Sequence, residues 1–393
     1  MPYKSILVIN TMHIGDLLLI TPALRTLRAN YPQARITLLT DKTLADLVRE
    51  NPCIDECLTI DKHGADKGLF ALWRFICRLR ARHFDLVINL HRNERCSAIT
   101  AFCGARERIG YAQPGFGHFY TKCYPNLAMA DTPKELATKH QVTVHLEMLQ
   151  KALGLTTIDD RGLEMKIPAE AETEAARLWQ KMLDETAAAA QMSSGEQPRP
   201  VIAFNIGASW ATKRWIDTYF AQCADQLIGE GCAVAFFGGP TDVPIVDACL
   251  AQMHEKNSPH CHIFTGKVTL AVLAGLLSRC ALMLTTDSGP MHIGVSQNLP
   301  LVTMFGASPV PTFYPYDARD VLLKTPEPCH PCGIHDCPKS GEDHMACMKK
   351  IPVAEVMKYV HELLETYGGK AARELPRDNA DEKGRHACKI VEL

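Results

Sequence analysis

Short apolar runs alternate with helix-patterned stretches through both halves of the chain, and this alternation limits the fold more than any other feature. In the first half, Ile6–Ile9, Ile36–Leu39, Cys57–Ile60 and Leu86–Leu90 read as buried strands, with Pro22–Tyr31, Leu44–Glu50 and Leu69–Arg82 as helices between them. The second half repeats the rhythm. Val201–Asn205, Ala233–Phe237, His262–Phe264, Leu282–Thr285 and Leu301–Phe305 are strands there, and Thr218–Glu230, Pro244–Met253 and Val268–Leu277 are helices. Runs this short and this apolar, separated by helices, imply an α/β fold with parallel sheets covered on both faces. At 393 residues the chain supports two such domains.

Composition marks the boundaries. Asp184–Pro200 holds four consecutive alanines, Ser193-Ser194-Gly195 and Pro198-Arg199-Pro200, which suits an exposed connection. The expected layout is therefore a first lobe over residues 1–184, a linker over 185–200 and a second lobe over 201–367. The charged tail 368–393 reads as disordered. A net charge of −2 supplies no bulk field for nucleic acid or an anionic membrane, so any anion binding must come from local sites. Neither a secretory leader nor an apolar run of about 18 residues is visible, so a cytoplasmic protein is expected.

Three loops carry the chemistry, and each leaves the end of an expected strand. In open α/β sheets ligands sit outside the carboxyl ends of strands. The first loop is Asn10-Thr11-Met12-His13-Ile14-Gly15-Asp16, where Asp16 either caps the following helix or faces the ligand crevice. The second is Asn205-Ile206-Gly207-Ala208-Ser209-Trp210-Ala211-Thr212-Lys213-Arg214-Trp215. Its small residues, Ser209 and Thr212 among them, let backbone N–H groups approach a diphosphate, and Lys213 adds a cation; a plain surface loop with packed tryptophans is the other reading. The third, Thr285-Thr286-Asp287-Ser288-Gly289-Pro290-Met291-His292, ends a strand and opens a helix whose free N–H groups suit phosphates. Asp287 would repel an anion, so amides or a sugar hydroxyl are its expected partners. His292 sits within the helix's first turn. A fourth turn, Gly238-Gly239-Pro240-Thr241-Asp242, offers Asp242 to a ribose or simply as a cap. No G-x-G-x-x-G, Walker loop or cleft-facing Asp-x-Asp is present, which favours metal-independent group transfer over dehydrogenase or P-loop chemistry.

These motifs resemble the ADP-heptose:lipopolysaccharide heptosyltransferases, glycosyltransferase family 9. The likeness lies in Ile6–Arg28, Asp85–Leu90 with Arg108-Ile109-Gly110-Tyr111, Asn205–Trp215 and Leu282–Pro309. It implies a GT-B fold, two Rossmann-like lobes with parallel sheets facing a central cleft, acceptor on the first lobe and ADP-sugar on the second. It also implies an inverting mechanism in which Asp16 is the general base, Lys213 neutralises the diphosphate, and Asp287, Ser288, Gly289 and His292 hold the donor. The implied acceptor is the lipopolysaccharide core at the inner leaflet; separately, a monomer with peripheral membrane contact is expected. A different donor or acceptor on the same fold, or nucleotide-sugar binding without turnover, are the alternatives. Helix Val353–Tyr367 is expected to pack back on the first lobe.

Two further features stand apart. Among the 16 cysteines, Cys329, Cys332, Cys337 and Cys347 cluster with C-x₂-C-x₄-C-x₉-C spacing. That spacing suits a structural tetrathiolate zinc, with reduced thiols or disulfides as the other readings. The stretch Leu69–His83 mixes Arg74, Arg78, Arg80 and Arg82 with Leu72, Phe75, Ile76 and Leu79. It reads either as a membrane-facing basic helix or as a sheet-covering one.

Overall fold

A computed structural model of the chain describes residues 3–128, 138–190, 199–377, 380–382 and 384–393. Two compact units are formed, 1–166 and 167–393. The first holds strands β1 (Ser5–Ile9), β2 (Arg35–Asp41), β3 (Glu56–Ile60), β4 (Leu86–Asn89), β5 (Glu107–Tyr111) and β6 (Lys122–Tyr124). Its helices are α1 (Ile14–Leu18), α2 (Thr21–Asn30), α3 (Leu69–Arg80), α4 (Glu94–Phe102) and α5 (Gln141–Leu153). The strand order is β3-β2-β1-β4-β5-β6, every neighbouring pair parallel. From β1 the chain winds outward through β2 and β3, then returns to lay β4 on the other side of β1. The β1/β4 junction is therefore the switch point, where a crevice opens at the strands' carboxyl ends.

Helix α3 shows why these segments fold as they do. Phe75, Ile76 and Leu79, one helical turn apart, are buried and close over Leu7, Ile9, Leu39 and Val87 of the sheet. Each such side chain contributes about 1.5–3 kcal/mol of apolar burial. The expected amphipathic pattern is thus real, and these apolar residues serve the sheet-covering reading.

The second unit holds β7 (Val201–Asn205), β8 (Ala233–Phe237), β9 (Cys261–Ile263), β10 (Leu282–Thr286), β11 (Leu301–Met304), β12 (Val321–Lys324) and β13 (Lys389–Glu392). Its helices are α6 (Ala169–Ala190), α7 (Asp217–Gly229), α8 (Val243–Leu250), α9 (Leu270–Leu277), α10 (Gly289–Ser296), α11 (Val310–Phe313), α12 (Ala346–Lys349) and α13 (Val353–Tyr367). The parallel order β13-β12-β11-β10-β7-β8-β9 places its switch point between β7 and β10. Phe204 and Phe236 pack at 5.1 Å in the core, and Trp215 meets Phe220 edge-on at 5.1 Å. Its indole N–H donates to the Ile351 carbonyl at 3.1 Å.

Three boundaries differ from the sequence reading. The units part at Lys166 and not at residue 184, because α6 belongs to the second unit. There Ala175 lies against Gly275 of α9, where an added Cβ would come within 2.6 Å, and the Arg279 guanidinium bonds Glu172 at 2.6 Å. This helix also runs into the expected linker. Residues 191–198 of that linker, Ser193-Ser194-Gly195 and Pro198 included, lie outside the described residues. The described part of the tail is ordered. Ala372 N–H donates to Cys280 O at 2.9 Å, Asn298 Nδ2 holds Ala372 O at 3.1 Å, and β13 adds to the sheet beside β12. Helix α13 sinks Val356, Met357, Tyr359, Val360 and Leu363 into the second unit's own core. Among the described residues no helix is long and apolar enough to cross a membrane.

Candidate active site

In the first unit the loop after β1 ends in α1, and Asp16 stands in that helix's first turn, half-buried. Its carboxylate accepts the His13 N–H at 3.4 Å, and its carbonyl accepts from Asn10 Nδ2 at 3.2 Å. Capping geometry is therefore present, at the switch point where a ligand-facing carboxylate is also expected. Around it the sequence reading missed a polar cluster. Thr11 Oγ1 lies 3.1 Å from His91 Nδ1, and Asn93 Nδ2 lies 2.8 Å from His91 Nε2. Lys62 Nζ donates to Thr11 O at 3.1 Å and pairs with Asp41 at 3.2 Å. Burial, with Lys62 and His13 pushing the same way, lowers His91 to about 3, so its imidazole is neutral. Burial raises Asp41, yet hydrogen bonds from Thr43 and the Lys62 cation outweigh it and hold the carboxyl below its usual range. Lys62 and His91 each follow a strand end closely, and that position was the available signal.

In the second unit the register does the assembling. Thr285 of β10 pairs with Asn205 of β7, so the loops leaving those strands meet side by side. Asn205 Nδ2 donates to Ser288 Oγ at 2.8 Å, and Thr286 Oγ1 donates to Gly207 O at 3.3 Å. Lys213 Nζ lies 2.8 Å from Asp287 Oδ2 with both side chains largely buried, and the Ser308 hydroxyl donates to the same oxygen. Ser308, in the loop beyond β11, was not foreseen. Asp287 is thus spent on holding Lys213 in place rather than on amides. Lys213 Nζ also sits 4.6 Å from the centre of the Trp210 ring, which stacks on His335 at 4.2 Å. The two tryptophans of the motif divide their work: Trp215 anchors the loop in the core and Trp210 flanks the cation.

Ser288 stands at the N-cap position of α10 without a side-chain capping bond, and the helix opens at Gly289 with Pro290 in its first turn. His292 is buried, and burial lowers it to about 4, with Lys213 adding to the shift and Asp287 opposing it. Its Nδ1 and the Oδ1 of Asn205 are buried with no hydrogen-bonding partner among the described residues. A buried polar atom left unpaired costs about 1–3 kcal/mol, so two of them beside one helix N-terminus and a held cation point to a polar ligand.

The remaining candidates take other places. Asp242 accepts the Gly239 N–H at 2.8 Å, the capping arrangement. It also presses on the Asn205–Trp215 loop: a Cβ on Gly207 would lie 2.3 Å from the Asp242 carboxyl carbon. Thr212 is buried, its hydroxyl donating to Ile334 O and its N–H to His335 O at 3.3 Å. Ser209 is exposed on the loop. Through Thr212 the Lys213 loop leans on the cysteine-rich segment. Cys329, Cys332, Cys337 and Cys347 are free and line one cavity of about 70 Å³. Burial and the three neighbouring sulfurs push Cys347 up to about 11. Among the described residues no three His, Cys, Asp or Glu side chains are set to hold a metal ion.

Known proteins match this chain over most of its length. Residues 72–341 match the model of "Glycosyltransferase family 9 (heptosyltransferase)". A solved family 9 glycosyl transferase from Veillonella parvula is 30% identical, with a TM-score of 0.76 over 93% of this chain and 98% of that one. The Escherichia coli K12 lipopolysaccharide heptosyltransferase 2 is 26% identical over 82% of this chain and 88% of its own. The structure of E. coli ADP-heptose lps heptosyltransferase II shares the fold, with a TM-score of 0.69 over 92% and 99% at 21% identity. The expected GT-B class is therefore correct, and the polar ligand of the β7/β10 crevice acquires a chemical context. This chain is an α/β glycosyltransferase belonging to glycosyltransferase family 9, the heptosyltransferase family.

Proposed function

We propose that the chain transfers heptose from ADP-L-glycero-D-manno-heptose to a hydroxyl of the lipopolysaccharide inner core, with inversion and without a catalytic metal. The observation that carries this reading is the β7/β10 crevice, where Lys213, the α10 N-terminus and the unpaired His292 Nδ1 and Asn205 Oδ1 meet. Relatives named as lipopolysaccharide heptosyltransferases 2 and 3 support the donor and acceptor classes.

In this mechanism the Asp16 carboxylate takes the acceptor's hydroxyl proton as the oxygen attacks the anomeric carbon. The bond from that carbon to the diphosphate oxygen breaks, and ADP departs with the electron pair. Leaving-group charge is met by Lys213 and by the N–H groups at Ser288 and Gly289. Asp287 and Ser308 set the position of Lys213, and His292, neutral at working pH, hydrogen-bonds the donor. Lys62, His91 and Asn93 line the acceptor side near Asp16. The enzyme acts as a cytoplasmic monomer at the inner leaflet.

ADP release tests this reading. With ADP-heptose and deacylated core acceptor, release should require both substrates and persist in excess EDTA. Release lost with EDTA, or equal without acceptor, would contradict metal-independent transfer.

The cysteine segment is proposed to take one structural zinc, supported by the spacing and the shared cavity. It requires the four thiols to close on the ion from the positions they hold here. By fixing the loop that Thr212 leans on, the ion would steady Lys213. Elemental analysis of purified chain should find about one zinc per molecule. Zinc-free purified protein whose four thiols all react freely with an alkylating reagent would rule the zinc out.

A further inference from the structure

Helix α3 turns a second face outward. Leu69 is 87% exposed, Phe70 80% and Trp73 53%, while Phe75, Ile76 and Leu79 take the sheet. The outward residues continue into an aromatic cluster. Trp73 meets Phe102 at 6.3 Å, and Phe102 meets Phe116 at 5.4 Å and Phe119 at 5.5 Å, Phe119 itself being 52% exposed. Isolated apolar side chains on a surface need no explanation, but four large ones joined on one face do.

Charge says what covers them. Residues 67–82 carry five cations, Lys67, Arg74, Arg78, Arg80 and Arg82, and no carboxylate, in a chain of net charge −2. The preceding Asp66 is buried and engaged by Arg78 at 3.2 Å, and Arg82 pairs with Glu56, which leaves Lys67, Arg74 and Arg80 as the cations with no carboxylate partner among the described residues. Arg80 donates to Phe102 O at 3.2 Å and so lies beside the aromatic cluster; Lys67 and Arg74 are exposed. Apolar anchors ringed by arginine and lysine match an anionic lipid surface: the rings and Leu69 enter the acyl boundary while the cations stay with the headgroups. Binding of this kind strengthens with the apolar area buried and with the attraction of the cations to anionic lipid.

We propose that Leu69, Phe70, Trp73 and Phe119, with Lys67 and Arg74, form the surface by which this chain inserts shallowly into an anionic bilayer. The inference rests on the reading that the acceptor is lipid-anchored, since insertion would bring the first unit to it. It differs from the helix-wide pattern in the sequence: Leu72, Phe75, Ile76 and Leu79 play no part in it, and the α3 N-terminal turn does.

The test uses the full chain and vesicles of phosphatidylethanolamine with phosphatidylglycerol, against vesicles of phosphatidylcholine alone. Wild type should sediment with the anionic vesicles at low salt and largely stay in solution with the neutral ones. The double variant Leu69→Ser/Phe70→Ser should lower the partition coefficient by at least about tenfold, and Arg74→Glu should lower it and flatten its salt dependence. Both variants should turn over deacylated acceptor at the wild-type rate and keep its circular dichroism, because these side chains lie outside the core. Three results would overturn the proposal: no sedimentation of wild type on anionic vesicles at low salt, a double variant that binds like wild type, or a concentration-dependent dimer that the double variant abolishes. Failure of wild type to glycosylate the deacylated acceptor would strike the transfer reading and leave the vesicle result standing.

Discussion

Asp16→Asn is expected to lower kcat by about 10²–10⁴-fold, the usual worth of a positioned general base. The substitution separates chemistry from structure unusually well here. Asp16's carboxylate accepts the His13 N–H at 3.4 Å. An asparagine carbonyl oxygen accepts the same bond, and asparagine caps helices about as well as aspartate. The thermal midpoint should therefore move little while turnover collapses. ADP affinity should also hold, because the donor is assigned to Lys213 and α10 in the second unit. Steady-state kinetics with a melting curve on one preparation checks this. Near-normal kcat would reduce Asp16 to a cap.

The second large effect is at Lys213. Removing it by Lys213→Ala withdraws a cation from the donor's diphosphate and strands Asp287, which is 7% exposed, with the Ser308 hydroxyl still bonded to it. A hydrogen bond to a charged group is worth about 1.5–3 kcal/mol, so ADP should bind about ten- to a hundredfold more weakly. Stability should fall too, since breaking a buried pair leaves an uncompensated charge. These two losses have different origins, and the double variant Lys213→Ala/Asp287→Asn tells them apart. Removing the stranded charge should restore much of the stability and none of the ADP affinity. If the double variant regains both, Lys213 serves only to balance Asp287. Isothermal titration with ADP and thermal melting of wild type, single and double variants give the comparison.

The legible part of this molecule was its strand ends. Ile6–Ile9, Val201–Asn205 and Leu282–Thr285 are apolar enough to declare themselves, and the residues that follow each one, Asp16, Lys213 and Asp287, carry the proposed chemistry. What the local pattern could not contain was register. That Thr285 lies opposite Asn205, and that Lys213 therefore reaches Asp287, depends on the order β11-β10-β7 and on no nearby residue. The same cause hid Ser308, whose loop enters the site only because β11 neighbours β10. Lys62 and His91 were missed for a related reason: they converge on Thr11 from the ends of β3 and β4, strands far apart in sequence that the sheet order places on opposite sides of β1.

Elements with weak local signals were lost in another way. Strand β13 is four residues, Lys389-Ile390-Val391-Glu392, at the edge of a sheet and inside a charged tail. Its order comes from backbone pairing with β12 and from the Lys389 N–H bond to Asp320 O at 2.8 Å. The end of helix α6 looked like a linker because its last turn is a run of alanines, and the rest of it fell within the expected first lobe. Its place in the second unit is fixed by contacts spaced a hundred residues away, Glu172 to Arg279 and Ala175 to Gly275. Asp242 illustrates the opposite case. Both roles were open in the sequence, and the Gly239 N–H at 2.8 Å accounts for its carboxylate as a cap.

The central claim, heptosyl transfer from an ADP-activated donor, is tested most directly by the mass of the acceptor. Wild-type chain, ADP-heptose and deacylated inner-core acceptor should yield a product heavier by one heptosyl residue, with one ADP released per product. Asp16→Asn under the same conditions should yield almost none. An acceptor of unchanged mass with ADP-heptose, or a mass gain obtained only with a different nucleotide sugar, would contradict the account.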